Sequence, residues 1–352
     1  MVVVLQYIIA ILGFSVIILV HEFGHFIFAK ISKMHVLEFF IGFGPKILKF
    51  RAKKSGTLYG LSAIPLGGYN KILGMDRNET VPEELKEKVF YSKPFYKKFF
   101  VISGGGIFNI ILAILLVIIY LSMGILAPVN TVDYIEPGSP ADISGFTAGD
   151  KIIALNGSPI NSWEDMSLLT KQNPGDNVAY TIIRDGREMD IRVELSDKEG
   201  SGYLGVGPKL EKTYLGFFGV LKEGFKMTWD ITFTYFKLFG QLFTGRIPLS
   251  QARPVSPIGV VSIFQQSAAM GVQNFILFVA LVSLLLAFGN FLPILPVDGG
   301  HLVVIIYEAI RKKPFPKKAM EISNALGIAL VASLFIIGLI FDIINPFKIA
   351  NM

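Results

Sequence analysis

The chain has no cysteine among its 352 residues. That excludes disulfides, thiolate metal sites and cysteine nucleophiles, so a bound metal must be held by His, Asp or Glu. Charge is scarce as well: 17% of residues are charged, against about 25% in soluble domains. Histidine occurs only four times, so each one can be weighed singly. What remains is apolar, at 52% of residues with a mean hydropathy of +0.56. An ordinary soluble enzyme, a disordered chain and a fibrous chain are excluded. The formal charge is +6. It collects in particular loops, which describes the cytoplasmic side of a membrane protein rather than a nucleic-acid face.

A bilayer crossing needs roughly 20 apolar residues. Four stretches qualify: 2–29, 99–126, 274–296 and 322–341, the third followed by a Pro-rich break and a further apolar helix to about 310. The first is too long for a signal peptide and lacks a basic start and a small-residue cleavage site. Residues 30–98 carry 14 Lys and Arg against 6 acids, residues 127–215 carry 8 against 14, and 311–318 carry five basic residues and no acid. Basic loops stay inside. The amino terminus, 127–273 and the carboxyl terminus are therefore expected outside. Residues 215–247 combine seven Phe with scattered charges. They read as helices lying on the outer membrane surface, with a fifth crossing as the rival reading.

Residues 127–210 change character, becoming charged and Gly-punctuated with short alternating apolar runs. A short helix is expected over 141–144, a strand over 151–155 and a helix over 163–172. A hairpin is expected from 178 to 195, turning at Asp185-Gly186; Asn156-Gly157 marks another tight turn. The run GSPA…GDKI…NG in this stretch resembles bacterial PDZ domains, small and partly open barrel-like α+β folds. Such domains bind a peptide terminus as an added strand. A spacer domain without a ligand is the alternative.

The decisive pattern is His21-Glu22-Phe23-Gly24-His25, inside the first apolar stretch. Residues i and i+4 share a helix face. Two imidazoles can therefore reach one zinc, with Glu22 beside them to take a proton from water. Composition alone gives about 0.002 such pentamers in a chain like this. A Glu at membrane depth is expensive and functional by default. The other strongly polar cluster at that depth is Asn290-Phe-Leu-Pro-Ile-Leu-Pro-Val-Asp298-Gly-Gly-His301. Pro293 and Pro296 break the helix, and irregular backbone there must line a cavity or be buried in protein. Asp298 is the candidate third ligand. His301 is the rival ligand, and a helix-capping Asp298 the plain alternative. His35 reads as a surface histidine.

HEFGH in the first stretch, NFLPILPVDGG in the third and a PDZ-like insert between them resemble the site-2 protease family of intramembrane zinc metalloproteases, peptidase family M50, in its RseP/RasP-like branch. The resemblance covers nearly the whole chain. It implies Zn2+ bound by His21, His25 and Asp298, with Glu22 as catalytic base and Asn290 touching substrate. Ile64-Pro65-Leu66-Gly67-Gly68-Tyr69 resembles the family's membrane-entering β-hairpin loop, so Gly67, Gly68, Tyr69 and Pro293 are added as substrate-binding candidates. Gly105-Gly106-Ile107-Phe108-Asn109 opens the second span, although Ser103-Gly104-Gly105-Gly106 stands where Ala-Gly-Pro is usual. Asn70 stands where the loop is usually apolar, and Val297 replaces a Leu.

The resulting expectation is a polytopic α-helical membrane protein with four transmembrane helices. A catalytic membrane part spans 1–126, a PDZ domain 127–210, extracytoplasmic interfacial helices 211–272 and a second catalytic part 273–352. The implied activity is zinc-dependent cleavage of transmembrane segments of single-pass membrane proteins, such as anti-sigma factors or remnant signal peptides. The setting is the bacterial inner membrane. The partners are those substrates, lipid and a peptide for the PDZ domain, with no nucleic acid. A metal transporter and a silent scaffold are the rival classes. Transport gives no reason for Glu22 between the histidines, and a scaffold needs no ionisable groups in lipid.

Overall fold

The computed structural model describes residues 2–76, 79–246, 254–347 and 349, apart from the side chains of Pro65, Leu66 and Phe243. Part of the 211–272 segment, two side chains of the proposed hairpin loop and the last three residues thus lie outside the description.

Helix α1 (Val2–Ile31) is a 30-residue apolar helix. It ends just before Lys33, whose φ of 54° does not continue a helix. Two long strands follow, β1 (Val36–Arg51) and β2 (Leu58–Ile72), paired antiparallel. Each strand pairs twice. Phe40 faces both Tyr69 and Gly60, and Gly60 also faces Lys49. The strands therefore fold back into four short segments, with Gly68–Ile72 on one edge. The folding points are Gly42 and Gly67, at φ 87° and 103°, where side-chain-bearing residues would be strained. Helix α2 (Phe95–Ser122) comes next. The sequence reading carries this span to 126, but Gly124 at φ 80° ends it earlier and the chain turns into a strand.

That strand opens a separate compact unit, Met123–Leu215. It contains β3 (Ile125–Ile135), α3 (Pro140–Ile143), β4 (Lys151–Leu155), β5 (Ser158–Pro159), α4 (Trp163–Lys171), β6 (Asn177–Arg184), β7 (Arg187–Glu194), β8 (Ser196–Lys198), β9 (Ser201–Tyr203) and β10 (Val206–Thr213). The main sheet runs β10-β3-β4-β6-β7, with β5 paired to β4. The expected turns are present: Asn156-Gly157 and Asp185-Gly186 all have positive φ, as a two-residue hairpin turn of this kind requires. Ser162 and Asp165 form a capping box that starts α4. Ile152, Tyr180, Ile182 and Leu195 form the centre of the core. The Tyr180 hydroxyl is pushed up to about 12 by burial.

Asp150 in this unit is fully buried and takes a fork of hydrogen bonds from Arg184 Nε and a terminal nitrogen, each 2.7 Å long. Burial alone would raise its carboxyl. The Arg184 fork and the Thr147 donors outweigh burial and hold it below the usual range. A depressed folded-state pKa means this stabilisation is present above the unfolded value, about 3.9. It is lost as pH falls through the folded value. Arg184→Met is expected to destabilise the unit by about 2–3 kcal/mol at neutral pH, because it strands a buried carboxylate. The deficit should shrink on acidification below about pH 4, and hydrogen exchange at β4 and β6 amides would report both effects.

The chain then forms α5 (Phe217–Phe243), α6 (Pro257–Ala269), α7 (Val272–Asn290), α8 (Asp298–Arg311) and α9 (Lys317–Ile344). Helices α1, α2, α7 and α9 are long and apolar enough to cross a membrane. Helix α5 is one continuous helix whose contacts follow two of these spans. Gly224 packs on Ile118 of α2, Tyr235 Oη donates to the Leu281 carbonyl of α7 at 3.3 Å, and the Phe236 and Phe239 rings sit on Phe288. Its Phe-rich face is thus spent partly on protein. Helix α9 meets its neighbours at two glycines: Gly327 lies against the Leu295 carbonyl and Gly338 against 254–256. Asp342 Oδ2 accepts from the Ser256 N–H at the start of α6, tying the two helices.

Candidate metal centre

Helix periodicity puts His21 and His25 on one face of α1, one turn apart. Their Nε2 atoms lie 3.2 Å from each other. The third atom comes from α8. After α7 stops at Asn290, the chain turns through its two prolines and restarts as a helix at Asp298. Gly299 and Gly300 let it restart in close contact with the 291–296 segment, since a Cβ at either would strike that backbone. Asp298 Oδ2 thereby reaches 3.2 Å from His21 Nε2 and 3.3 Å from His25 Nε2. No side-chain capping bond forms at the start of α8, so capping does not account for Asp298.

The donor set fits zinc. Two ring nitrogens and a carboxylate oxygen converge pairwise at 3.2–3.3 Å. The edge of a tetrahedron with bonds near 2.0–2.1 Å is about 3.4 Å. Asp298 Oδ2 is buried and has no hydrogen-bond partner among the described residues, a costly state that a cation relieves. His21, His25 and Asp298 are the three-ligand group found among the described residues.

Helix α2 donates no ligand but shapes the centre. Its Gly104 lies against Gly24 of α1 so closely that a Cβ on either would meet the other's backbone. Small residues permit such approach between membrane helices. One residue on, a Cβ at Gly105 would lie 2.5 Å from both His21 Cε1 and His25 Nε2. The Val101 carbonyl receives His25 Nδ1 at 2.7 Å.

A cavity of about 310 Å³ opens on the centre. His21, Glu22, His25, Asp298 and Asn290 all line it, as does His301, which stands apart from the three-ligand group. Gly68 runs beside Glu22: a Cβ there would sit 3.7 Å from Glu22 Cγ. Tyr69 faces elsewhere, stacked on Phe40 with its hydroxyl on Glu38, and Gly67 lies against Phe43. Pro293 is not among the lining residues. His35 is half-buried beside Gly56. Two contributors are named in the sequence reading but given no role at the site there. Asn70 lines the cavity with both side-chain amide atoms buried and without a partner among the described residues; its polarity at an apolar position was the available signal. Gly105 was signalled by three consecutive glycines within an apolar helix.

Two histidines one turn apart, an acid between them and a carboxylate from a second helix are arranged as a zinc metalloprotease would need them. The chain belongs to peptidase family M50, whose family model matches residues 9–334. It is 32% identical over 343 residues to a Clostridium acetobutylicum protein named as a candidate zinc metalloprotease, covering 96% of this chain and 97% of that one. It is 28% identical over 405 residues to the zinc metalloprotease RasP of Shouchella clausii, covering 92% and 95%. A solved PDZ domain of an SdrC-like protein from Listeria monocytogenes aligns at 20% identity and a TM-score of 0.21, over 24% of this chain and 90% of that one.

Proposed function

We propose that the protein is an intramembrane endopeptidase that cuts transmembrane segments of single-pass membrane proteins in the bacterial cytoplasmic membrane. One observation carries this reading: the centre lies within an apolar span. His21 lies 19 residues after Val2 but nine before Lys30, the nearer and basic end of the helix, so about 13 Å of helix separates it from that end. A peptide bond must come to that depth to react. Anti-sigma factors and remnant signal peptides, the substrates implied by the family resemblance, present such segments.

His21, His25 and Asp298 would hold a zinc ion, which would supply Lewis-acid polarisation of a carbonyl and lower the pKa of water. Glu22, on the same helix and lining the same cavity, takes the proton from the attacking water and returns it to the leaving amine. A transmembrane helix hides its peptide bonds in its own hydrogen bonds, so it must unwind locally. The edge Gly68–Ile72 has no second strand partner among the described residues. It offers backbone groups to the unwound segment where lipid offers none. Asn70 and Asn290 present amides to the cavity that match the donor and acceptor of a peptide group. The charge asymmetry of the loops supports placing the amino terminus, the 123–215 unit and the carboxyl terminus outside the cytoplasm. The turn and strand pattern of that unit supports a PDZ domain that binds peptide.

With purified protein and a single-pass model substrate in detergent, mass spectrometry is expected to map the cut inside the apolar segment. A zinc chelator should stop the reaction. A cut confined to soluble flanks would overturn the proposal.

A further inference from the structure

The two ligating imidazoles are held differently at their outer nitrogens. His25 Nδ1 faces the Val101 carbonyl, which can only accept. Its proton therefore sits on Nδ1 and its Nε2 keeps a free lone pair. His21 Nε2 likewise points at the other two ligand atoms, so this neutral ring too must carry its proton on Nδ1. The group facing His21 Nδ1, at 3.4 Å, is the terminal nitrogen of Asn109. Donor would meet donor. Meanwhile Asn109 is fully buried and its Oδ1 has no hydrogen-bond partner among the described residues. Which terminal atom of an amide is oxygen is decided by the hydrogen-bond network. A half-turn of the Asn109 amide removes the conflict and uses the orphaned acceptor.

We propose that Asn109 is a positioning residue for His21: its Oδ1 accepts the Nδ1 proton, fixing the ring's tautomer and orientation. The inference rests on the metal-centre reading above. The backbone at Asn109 is itself anchored, because Ser283 Oγ on α7 donates to the Asn109 main-chain carbonyl at 2.9 Å. Val101 and Asn109 lie two turns apart on α2 with Gly105 midway. One face of that helix thus sets the outer nitrogens of both ligands, and such partners orient ligating histidines and raise their basicity.

The test compares zinc retention against a graded chelator in purified wild type, Asn109→Leu and Asn109→Asp, with melting curves recorded for each. Leucine keeps the branched four-atom shape of asparagine, slightly enlarged, but cannot accept, so retention should weaken about 10–100-fold. Aspartate still accepts and its charge is offset by the cation. It should hold zinc within about threefold of wild type. If Asn109→Leu does not fold, Asn109→Ala carries the same expectation. Wild-type retention in the leucine or alanine variant overturns the inference. So does an aspartate variant as weak as the leucine one, since the amide nitrogen would then face the ring. In zinc-loaded wild type with labelled histidine, the His21 Nδ1 proton should resonate at the low-field position of a hydrogen-bonded N–H, and a free-imidazole position overturns the inference independently. A wild type that takes up no zinc overturns the metal-centre reading as well; the other adverse outcomes overturn this inference alone.

Discussion

Glu22→Gln should lower the rate of cleavage of a membrane substrate by about a thousandfold while zinc content stays at the wild-type value. The amide keeps the size of the carboxylate but cannot take a proton. Glu22 is not one of the three converging ligands, so its removal leaves the metal donors intact. The measurement is single-turnover cleavage in detergent beside metal analysis of the same preparations. Zinc loss would place Glu22 in the ligand set. Unchanged cleavage would remove it from proton transfer altogether.

Gly105→Ala should abolish the metal centre, with zinc retention falling more than about 100-fold and cleavage falling with it. A Cβ there meets both imidazoles at 2.5 Å. Rings held from behind by the Val101 carbonyl and beside Asn109 have little room to retreat. Overpacking usually costs about 1–3 kcal/mol, so the helices should still assemble and the loss should be local. Gly240→Ala is the matched control, because no described residue lies within 4 Å of a Cβ at that position. It should leave zinc and cleavage unchanged and favour α5 slightly. Equal loss in both variants would mean that helix assembly failed in general.

The four long apolar helices were legible because lipid enforces length and composition. The His21–Glu22–His25 spacing was legible because helix geometry maps sequence separation onto a face. Asp298 needed a further step, from a polar residue in a broken apolar stretch to a shared centre 273 positions away from His25. The structure brings these atoms to 3.3 Å. What the sequence hid was set by packing. No periodicity announces that β1 and β2 each fold back and pair twice, because single positive-φ glycines decide it. Nor does composition show that the charged, Phe-rich α5 leans on α2 and α7. An amphipathic pattern says that a face is covered but does not say by what.

The closeness of Gly105 to both rings has a consequence for tuning the ion. Glycine is the smallest residue, so variation at this position can only add atoms and crowd the aperture. A helix that contributes no ligand therefore fixes a hard wall on one side of the centre. Accommodating a larger cation would have to come from the donors themselves, by letting Asp298 or the two imidazoles recede.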